Sequence, residues 1–98
     1  MTIRSFQRQY LKGLAHDLNP VLQTGKDGLS EAFIAQVTQA LLDHELIKVR
    51  LVRPEEKKTM AQELANSTNA EFVGLVGHTV ILFRPHPEEP KIVLPIRE

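Results

Sequence analysis

The stretch Gly25-Lys26-Asp27-Gly28 is the part of the sequence whose residue types could bind a phosphate. Two glycines allow positive φ angles and leave no side chain that would hold a ligand away. Ser30 follows as a good helix N-cap, so the N–H groups of a helix start would lie beside the loop and favour an anion. Nucleic-acid-binding modules of the KH type clamp a backbone with a GxxG loop of this kind. A plain tight turn before a helix explains the same residues, and the motif alone does not decide between the two.

Basic residues outside the loop could extend a phosphate-binding surface, and they are Arg4, Arg8, Lys12, Lys48, Arg50 and Arg84. The first three are spaced by four residues and would form one stripe along a helix. That stripe has no acids four residues away to pair with, and an unpaired stripe attracts phosphate more strongly. Lys48 and Arg50 would share one face of a strand, and Arg84 follows the last strand. An ordinary solvated face is the alternative for the helix stripe and for the strand pair, and the alternative for Arg84 is a helix cap or an ion pair with an acid.

The sequence holds no arrangement typical of catalysis or metal binding. The histidines are in separate elements and cysteine is absent, which leaves neither a thiolate site nor a close histidine pair. The loop also lacks the Lys-Ser/Thr pair of a Walker A motif and the third glycine of a dinucleotide fingerprint. We therefore expect no catalytic residue, no metal and no cofactor. An enzyme acting on phosphoesters is the weakest alternative, because nothing supplies its base.

Length and composition favour one small globular domain. The chain has 98 residues, of which 42% are apolar and 24% charged, and its formal net charge is zero. We expect one domain over residues 1–98, with a core over residues 3–85 and a proline-rich extension over residues 86–98. The absence of cysteine and of a long apolar run favours a cytoplasmic protein without a membrane span. Basic residues dominate the start of the chain and acids collect later, so a neutral chain can still have a basic face.

A helix over residues 4–16 is predicted to carry the basic stripe. Ile3, Phe6, Tyr10 and Leu14 recur at intervals of three and four residues and predict its apolar face, with Leu11 and Leu18 beside them. The aromatic side chains could stack on bases, but this spacing predicts that they belong to the core. The basic stripe would flank that apolar face.

The later elements predict the fold class. In order they are a short strand over residues 20–24, a helix capped by Ser30, a strand over residues 46–52, a helix with Pro54 at its first position, and two hairpin strands around Gly77-His78. Residues 91–94 could add an edge strand, and the rest of the tail is expected to be an extended arm. The order α-β-α-β-α-β-β predicts a parallel pair with an antiparallel hairpin appended. We expect a small two-layer α/β sandwich with a mixed sheet.

Three blocks of the sequence closely resemble the CRM domain, a family named for chloroplast RNA splicing and ribosome maturation. The blocks are "LKGLAHDLNPVLQTGKDGLSEAF", "HELIKVRL" and "VGHTVILFRP", in the order and spacing of that family. The resemblance covers about residues 3–95 and is nearest to the free-standing bacterial, YhbY-like form. It implies an α/β fold similar to the C-terminal domain of translation initiation factor three.

The resemblance implies RNA binding and, for the bacterial form, association with precursors of the large ribosomal subunit. We expect a non-enzymatic, monomeric protein that binds structured ribosomal RNA. The GxxG loop of the family falls on residues 25–28, and its basic first helix falls on the stripe that begins at Arg4. Asp27 departs from the neutral or basic residues that the family often has there. An acid would repel phosphate unless it points away and caps the following helix. The alternative is a protein–protein adaptor on ribosomal precursors, which docks through its acidic later half or its proline-rich tail.

Overall fold

The computed structural model describes residues 2–96, so Met1, Arg97 and Glu98 lie outside the described residues. The predicted order of elements is confirmed. The helices and strands are α1 (Ser5–Ala15), β1 (Leu22–Gln23), α2 (Glu31–His44), β2 (Leu46–Arg50), α3 (Lys57–Ser67), β3 (Glu71–Val76) and β4 (Thr79–Phe83). The domain predicted over residues 1–98 can therefore be followed from residue 2 to residue 96.

The strands form one mixed sheet in the order β1-β2-β4-β3. β1 pairs with β2 in parallel, whereas β4 is antiparallel to both of its neighbours. The predicted hairpin is confirmed, because only Gly77 and His78 separate β3 from β4. Gly77 has a φ of 60°, the left-handed value that the first position of such a turn requires. β2 and β4 are thus the central strands on which the helices pack.

Helices cover both faces of the sheet. On one face α2 and α3 pack against strand residues such as Ile47, Val49 and Leu82. On the other face α1 packs against intervening residues such as Val73 and Ile81. Successive side chains of a strand point to opposite faces, so the same strands supply both clusters. The structure confirms the α/β class and the mixed sheet, and it adds a layer to the predicted two-layer sandwich.

Only part of the predicted apolar side of α1 is buried. Leu11 and Ala15 are fully buried, whereas Tyr10 and Leu14 are 43% and 44% exposed. Both rows have the four-residue spacing of a helix face, so periodicity could not choose between them. The row with the small alanine lies on the sheet, where Gly74 leaves room for a crossing side chain of the helix. The prediction that Tyr10 belongs to the core is therefore wrong.

Helix α3 begins later than predicted. Its first residue is Lys57 rather than Pro54, and its first turn carries no acid. The preceding segment is held by the sheet instead, because the Leu51 N–H donates to the His78 carbonyl at 2.7 Å. Arg53 then has a φ of 48°, which turns the chain before the helix. The preference of proline for the first position of a helix is thus overridden by the backbone hydrogen bond between Leu51 and His78, which are distant in the sequence.

Glu45 joins the end of α2 to the C-terminal segment. It follows the helix directly, has a φ of 65° and is only 4% exposed. Its carboxylate accepts the backbone N–H groups of His86 (2.9 Å), Lys91 (2.9 Å) and Ile92 (3.0 Å). Burial by itself would raise the pKa of the Glu45 carboxyl, but these three donors and the nearby imidazole of His86 lower the pKa below its ordinary value. The buried ion is thus held chiefly by backbone dipoles.

The C-terminal segment, residues 86–96, packs against the domain. Ile92 and Leu94 lie on the cluster under α1, and the Gln7 amide donates to the Pro95 carbonyl at 3.2 Å. Residues 91–94 contain no strand, so the predicted edge strand is wrong. Backbone N–H groups of this segment bind the Glu45 carboxylate rather than a strand edge. The expected extended arm is folded back onto the sheet.

Replacing Glu45 by glutamine should destabilise the domain and loosen the tail. The amide keeps one acceptor oxygen but no charge, so we expect a loss of about 2 kcal/mol in the free energy of unfolding. The pKa of Glu45 is lower in the folded state than in the unfolded state. The Glu45 ion therefore stabilises the folded state fully above the unfolded-state pKa of about 4.3, and this stabilisation is lost as the pH falls through the folded-state pKa. Urea unfolding from about pH 7 to about pH 3 should show the parent and the variant converging in acid.

Glu89→Gln is the matched control, since it removes an exposed carboxylate from the same segment. It should change the free energy of unfolding by less than about 0.5 kcal/mol. A difference between the parent and Glu45→Gln that stays constant with pH would contradict the role given to the Glu45 ion.

Candidate nucleic-acid interface

Residues 25–28 form a closed tight turn between β1 and α2. The Gly28 N–H donates to the Gly25 carbonyl at 3.1 Å, and Gly28 has a φ of 60°. Lys26 and Asp27 form the exposed tip. A Cβ on Gly25 would meet no atom within 4 Å, so this glycine leaves the turn open to solvent on its own side. The two glycines therefore differ: Gly28 is required by the backbone, whereas Gly25 allows close approach from outside.

Ser30 caps α2 directly after the turn, as predicted. Its Oγ accepts the Phe33 N–H at 3.1 Å. The N–H groups of Glu31 and Ala32 have no carbonyl partner within the helix and lie at the positive end of its dipole. Asp27 does not make the cap, and its side chain has no hydrogen bond to another residue of the described range 2–96. The acid stays at the exposed tip of the turn.

Thr24 fixes the base of the turn to the neighbouring strand. It is 2% exposed, its N–H donates to the Arg50 carbonyl at 3.0 Å, and its Oγ1 accepts the Val52 N–H at 2.8 Å. These bonds continue the pairing of β1 and β2 up to the first glycine. Sequence reasoning missed Thr24, because a single buried hydroxyl beside a two-residue strand leaves no periodic pattern.

A shallow groove separates the turn from the segment that leads into α3. Lys26 and Arg53 line this groove together with the carboxylates of Glu55, Glu56 and Glu63. Arg53 was not among the predicted site residues, since the turn of the backbone that brings it here depends on tertiary contacts. A phosphate in this groove would meet charges of both signs, so the outer side of the turn is the more favourable approach.

Lys12 and Arg50 are exposed on the sheet face that α1 covers. The Lys12 side chain lies over Gly74, where an added Cβ would be 2.8 Å from the Lys12 Cε. Arg50 is the last residue of β2 and pairs with Gln23, which lies two residues before Gly25. Lys12 therefore lies over the edge strand β3, whereas Arg50 lies beside the strand that leads into the turn.

Two of the predicted cations bind the ends of helices. Lys48 donates its ammonium group to the carbonyls of His16 (3.3 Å) and Leu18 (3.0 Å), at the C-terminal end of α1. Arg84 donates to the carbonyl of Thr68 at 3.4 Å, at the end of α3. Both positions place a cation at the negative end of a helix dipole, where it is stabilising. These side chains have structural roles whether or not they also meet a ligand.

Two further predicted cations lie near the start of α1. Arg8 is half-buried and donates from Nε to the Phe72 carbonyl of β3 at 3.3 Å. Arg4 precedes the helix, and its guanidinium carbon is 5.9 Å from the centre of the Phe6 ring. The predicted stripe therefore exists, but its members differ in freedom: Arg8 is bound to a strand carbonyl, whereas Arg4 and Lys12 are exposed.

The four histidines lie in four different parts of the fold. His16 follows α1, His44 ends α2, His78 lies in the β3–β4 turn and His86 in the C-terminal segment. Within residues 2–96 there is no group of three or more His, Cys, Asp or Glu side chains that could hold a metal ion. No helix in that range has the length and hydropathy of a membrane span.

The fold and the turn together define a class of protein: a small α/β domain in which an exposed GxxG turn joins a strand to a capped helix. Within that class, the chain belongs to the CRS1 / YhbY (CRM) domain family, whose model matches residues 3–84. The resemblance that the sequence blocks indicated is thereby confirmed.

Relatives and a solved structure extend this match to nearly the whole chain. A Haemophilus influenzae protein named an RNA-binding protein is 44% identical over 96 residues, which is 96% of each chain. A Bacillus subtilis protein named a probable RNA-binding protein is 34% identical over 91% of this chain and 95% of its own length. The solution structure of a Staphylococcus aureus protein superposes with a TM-score of 0.82 at 34% identity, covering 96% of this chain and 100% of that one.

The two glycines of the turn should respond differently to alanine. Gly28→Ala places a side chain at a φ of 60°, so we expect a loss of about 1–2 kcal/mol in the free energy of unfolding. Gly25→Ala meets no neighbouring atom and should change that free energy by less than about 0.5 kcal/mol. Urea unfolding of both variants measures the difference, and equal losses would contradict the closed turn described above.

Proposed function

We propose that the protein binds structured ribosomal RNA without catalysing a reaction and acts in assembly of the large ribosomal subunit. The observation that carries this proposal is the exposed turn at residues 25–28, held at the N-terminus of α2 in a member of the CRM family. The RNA-binding names of its relatives support the same activity.

The RNA backbone would approach the turn at its glycines. Gly25 and Gly28 present no side chain, Lys26 supplies a mobile charge, and the first turn of α2 supplies N–H donors. Asp27 would repel a phosphate, so its side chain would lie away from the contact. Phosphate contacts position a protein without reading bases, and the specificity would come from the shape of the RNA.

Exposed cations outside the turn would extend the contact. Lys12 and Arg50 are exposed, and so is Arg53, although its groove with Lys26 also holds three glutamates. Four other predicted cations already interact with groups of the protein itself and would make weaker RNA contacts at the margin of the site. These are Arg4, Arg8, Lys48 and Arg84. The strongest electrostatic attraction would therefore come from the end of the sheet that carries the turn.

The charge balance favours a binding site within a larger particle. The chain has no net charge, and three glutamates line the groove beside Lys26. Such a surface releases few counterions, so affinity for isolated RNA would be modest. We infer that a ribosomal precursor supplies the complete site, with the protein acting in the cytoplasm as a monomer.

A protein–protein adaptor on ribosomal precursors is the second candidate function. The observation that favours it is the set of large apolar side chains exposed on and after α1, namely Tyr10, Leu14, Leu18 and Val21. Exposed apolar patches mark interaction surfaces when they are contiguous. In this case the particle would be recognised through protein, with little direct RNA contact.

Lys26→Glu should weaken binding to fragments of ribosomal RNA. Loss of one phosphate contact should reduce the slope of log K against log salt by about 1. A second variant, Lys12→Glu with Arg50→Glu, should weaken binding further and reduce the slope by about 2. Fluorescence anisotropy titrations at about 50 to 200 mM salt measure both quantities.

Lys58→Glu is the matched control for these variants. Lys58 is exposed on α3, and the change in charge is the same. Binding by Lys26→Glu that equals the binding of the parent, or equal losses from Lys26→Glu and Lys58→Glu, would contradict the proposed placement of the site.

In cells, crosslinking followed by sequencing should recover RNA of the large ribosomal subunit. The protein should also sediment with precursors of that subunit, and RNase should release it because RNA would be the main contact. Retention on the particle after RNase treatment, with no crosslinked RNA, would favour the adaptor instead.

A further inference from the structure

An apolar groove lies along the edge of α1 that is remote from Lys12. Leu14 follows Lys12 by two residues, which is about 200° around the helix. Leu14, Leu18 and Val21 are 44%, 40% and 45% exposed. The groove has a volume of about 470 Å³, and its apolar lining consists of Leu14, Leu18, Val21, Leu46, Ile47 and Ile92. Contiguous exposed side chains of this size are a feature of interaction surfaces.

Hydrogen bonds fix the wall of the groove that α1 contributes. The Lys48 ammonium group binds the carbonyls of His16 and Leu18, which holds the chain just after the helix. The Val21 N–H then donates to the Lys48 carbonyl at 2.9 Å. The segment that presents Leu18 and Val21 is therefore attached to β2 at both ends, and the groove is formed before any ligand arrives.

The opposite wall is supplied by the C-terminal segment. Ile92 lines the groove, and its N–H donates to the Glu45 carboxylate at 3.0 Å. The same carboxylate binds the N–H groups of His86 and Lys91. The groove is therefore a composite of α1, β2 and the tail, and its second wall depends on the Glu45 contact.

One end of the groove is acidic. His44 and Ile92 also line an adjoining polar depression, whose charged residues are Asp43, Glu45, Glu89 and Lys91. The two exposed carboxylates, Asp43 and Glu89, thus outnumber the ammonium group of Lys91, whereas the buried Glu45 ion is compensated by backbone N–H groups and the nearby His86 imidazole. This arrangement attracts a cationic ligand and repels RNA phosphates.

We propose that the groove docks a segment of a partner protein that inserts apolar side chains beside Leu14 and Leu18 and places lysine or arginine residues against Asp43 and Glu89. Apolar anchors would supply most of the affinity, and the basic residues would set orientation and association rate. The groove and the exposed Lys12 lie on opposite edges of α1, so the segment and RNA could be bound together. This docking does not depend on RNA contact by the turn.

Three 12-residue synthetic peptides test the proposal with the full-length protein. The first has two leucines followed by lysines, the second has the same leucines followed by glutamates, and the third keeps the lysines but has serines in place of the leucines. Amide chemical shifts of the labelled protein should move around Leu18 and Ile92 with the first peptide only. The second and third should bind at least about tenfold more weakly, since each lacks one of the two complementary features.

Variants assign the binding to the groove. Leu18→Ser should weaken binding of the first peptide at least about tenfold. Ile92→Ser, on the opposite wall, should have the same effect and replaces Leu18→Ser if that variant does not fold. Asp43→Asn with Glu89→Gln should weaken it about threefold and reduce its salt dependence. Glu63→Gln removes the same kind of charge from α3, on the other face of the sheet, and should leave peptide binding as in the parent.

Other occupants give distinct results that would overturn the proposal. Equal binding of the lysine and glutamate peptides would show that charge complementarity plays no part in recognition. Binding of neither peptide would show that the groove does not dock a segment of this kind. Shifts at Leu18 and Ile92 on addition of a ribosomal RNA fragment would make the groove part of the RNA surface. A dimer in sedimentation equilibrium that Leu18→Ser dissociates would assign the groove to a second copy of the chain.

Discussion

The carboxylate of Glu45 accepts three backbone N–H groups from the C-terminal segment, while its own carbonyl accepts the N–H of Arg84. The residue therefore lies where α2 ends, β2 begins, β4 ends and the tail folds back. A buried ion must be compensated, and here backbone dipoles provide most of the compensation. The position of Ile92, and with it one wall of the apolar groove, depends on this contact. The proposed protein-docking surface thus relies on a residue that lies mostly beneath it.

The cations divide into those that hold the fold and those that remain available. Lys48 and Arg84 bind carbonyls at helix ends, and Arg8 binds a strand carbonyl. Lys12 and Lys26 are exposed. Asp27 and three glutamates lie close to Lys26, so positive charge is available only at individual side chains of this neutral chain. Lys12 and the apolar groove lie on opposite edges of α1.

The failures of sequence reasoning have a common cause. Tyr10 was expected in the core because its row on α1 has helical spacing, but the row of Leu11 has the same spacing and packs against the sheet. Pro54 was expected to begin α3, but the bond between Leu51 and His78 keeps the chain with the sheet for longer. In each case a local pattern allowed two outcomes, and contacts between residues distant in the sequence selected one.

The order of elements, the mixed sheet, the hairpin turn at Gly77, the cap at Ser30 and the family could all be predicted from the sequence, because each rests on a local pattern or on blocks of residues. The exposed edge of α1, the cations engaged within the protein and the contact of Glu45 with the tail could not be predicted in this way. These depend on pairs such as Glu45 with Ile92, which are 47 residues apart. Short-range periodicity carries no information about such pairs, and packing of the complete chain supplies it.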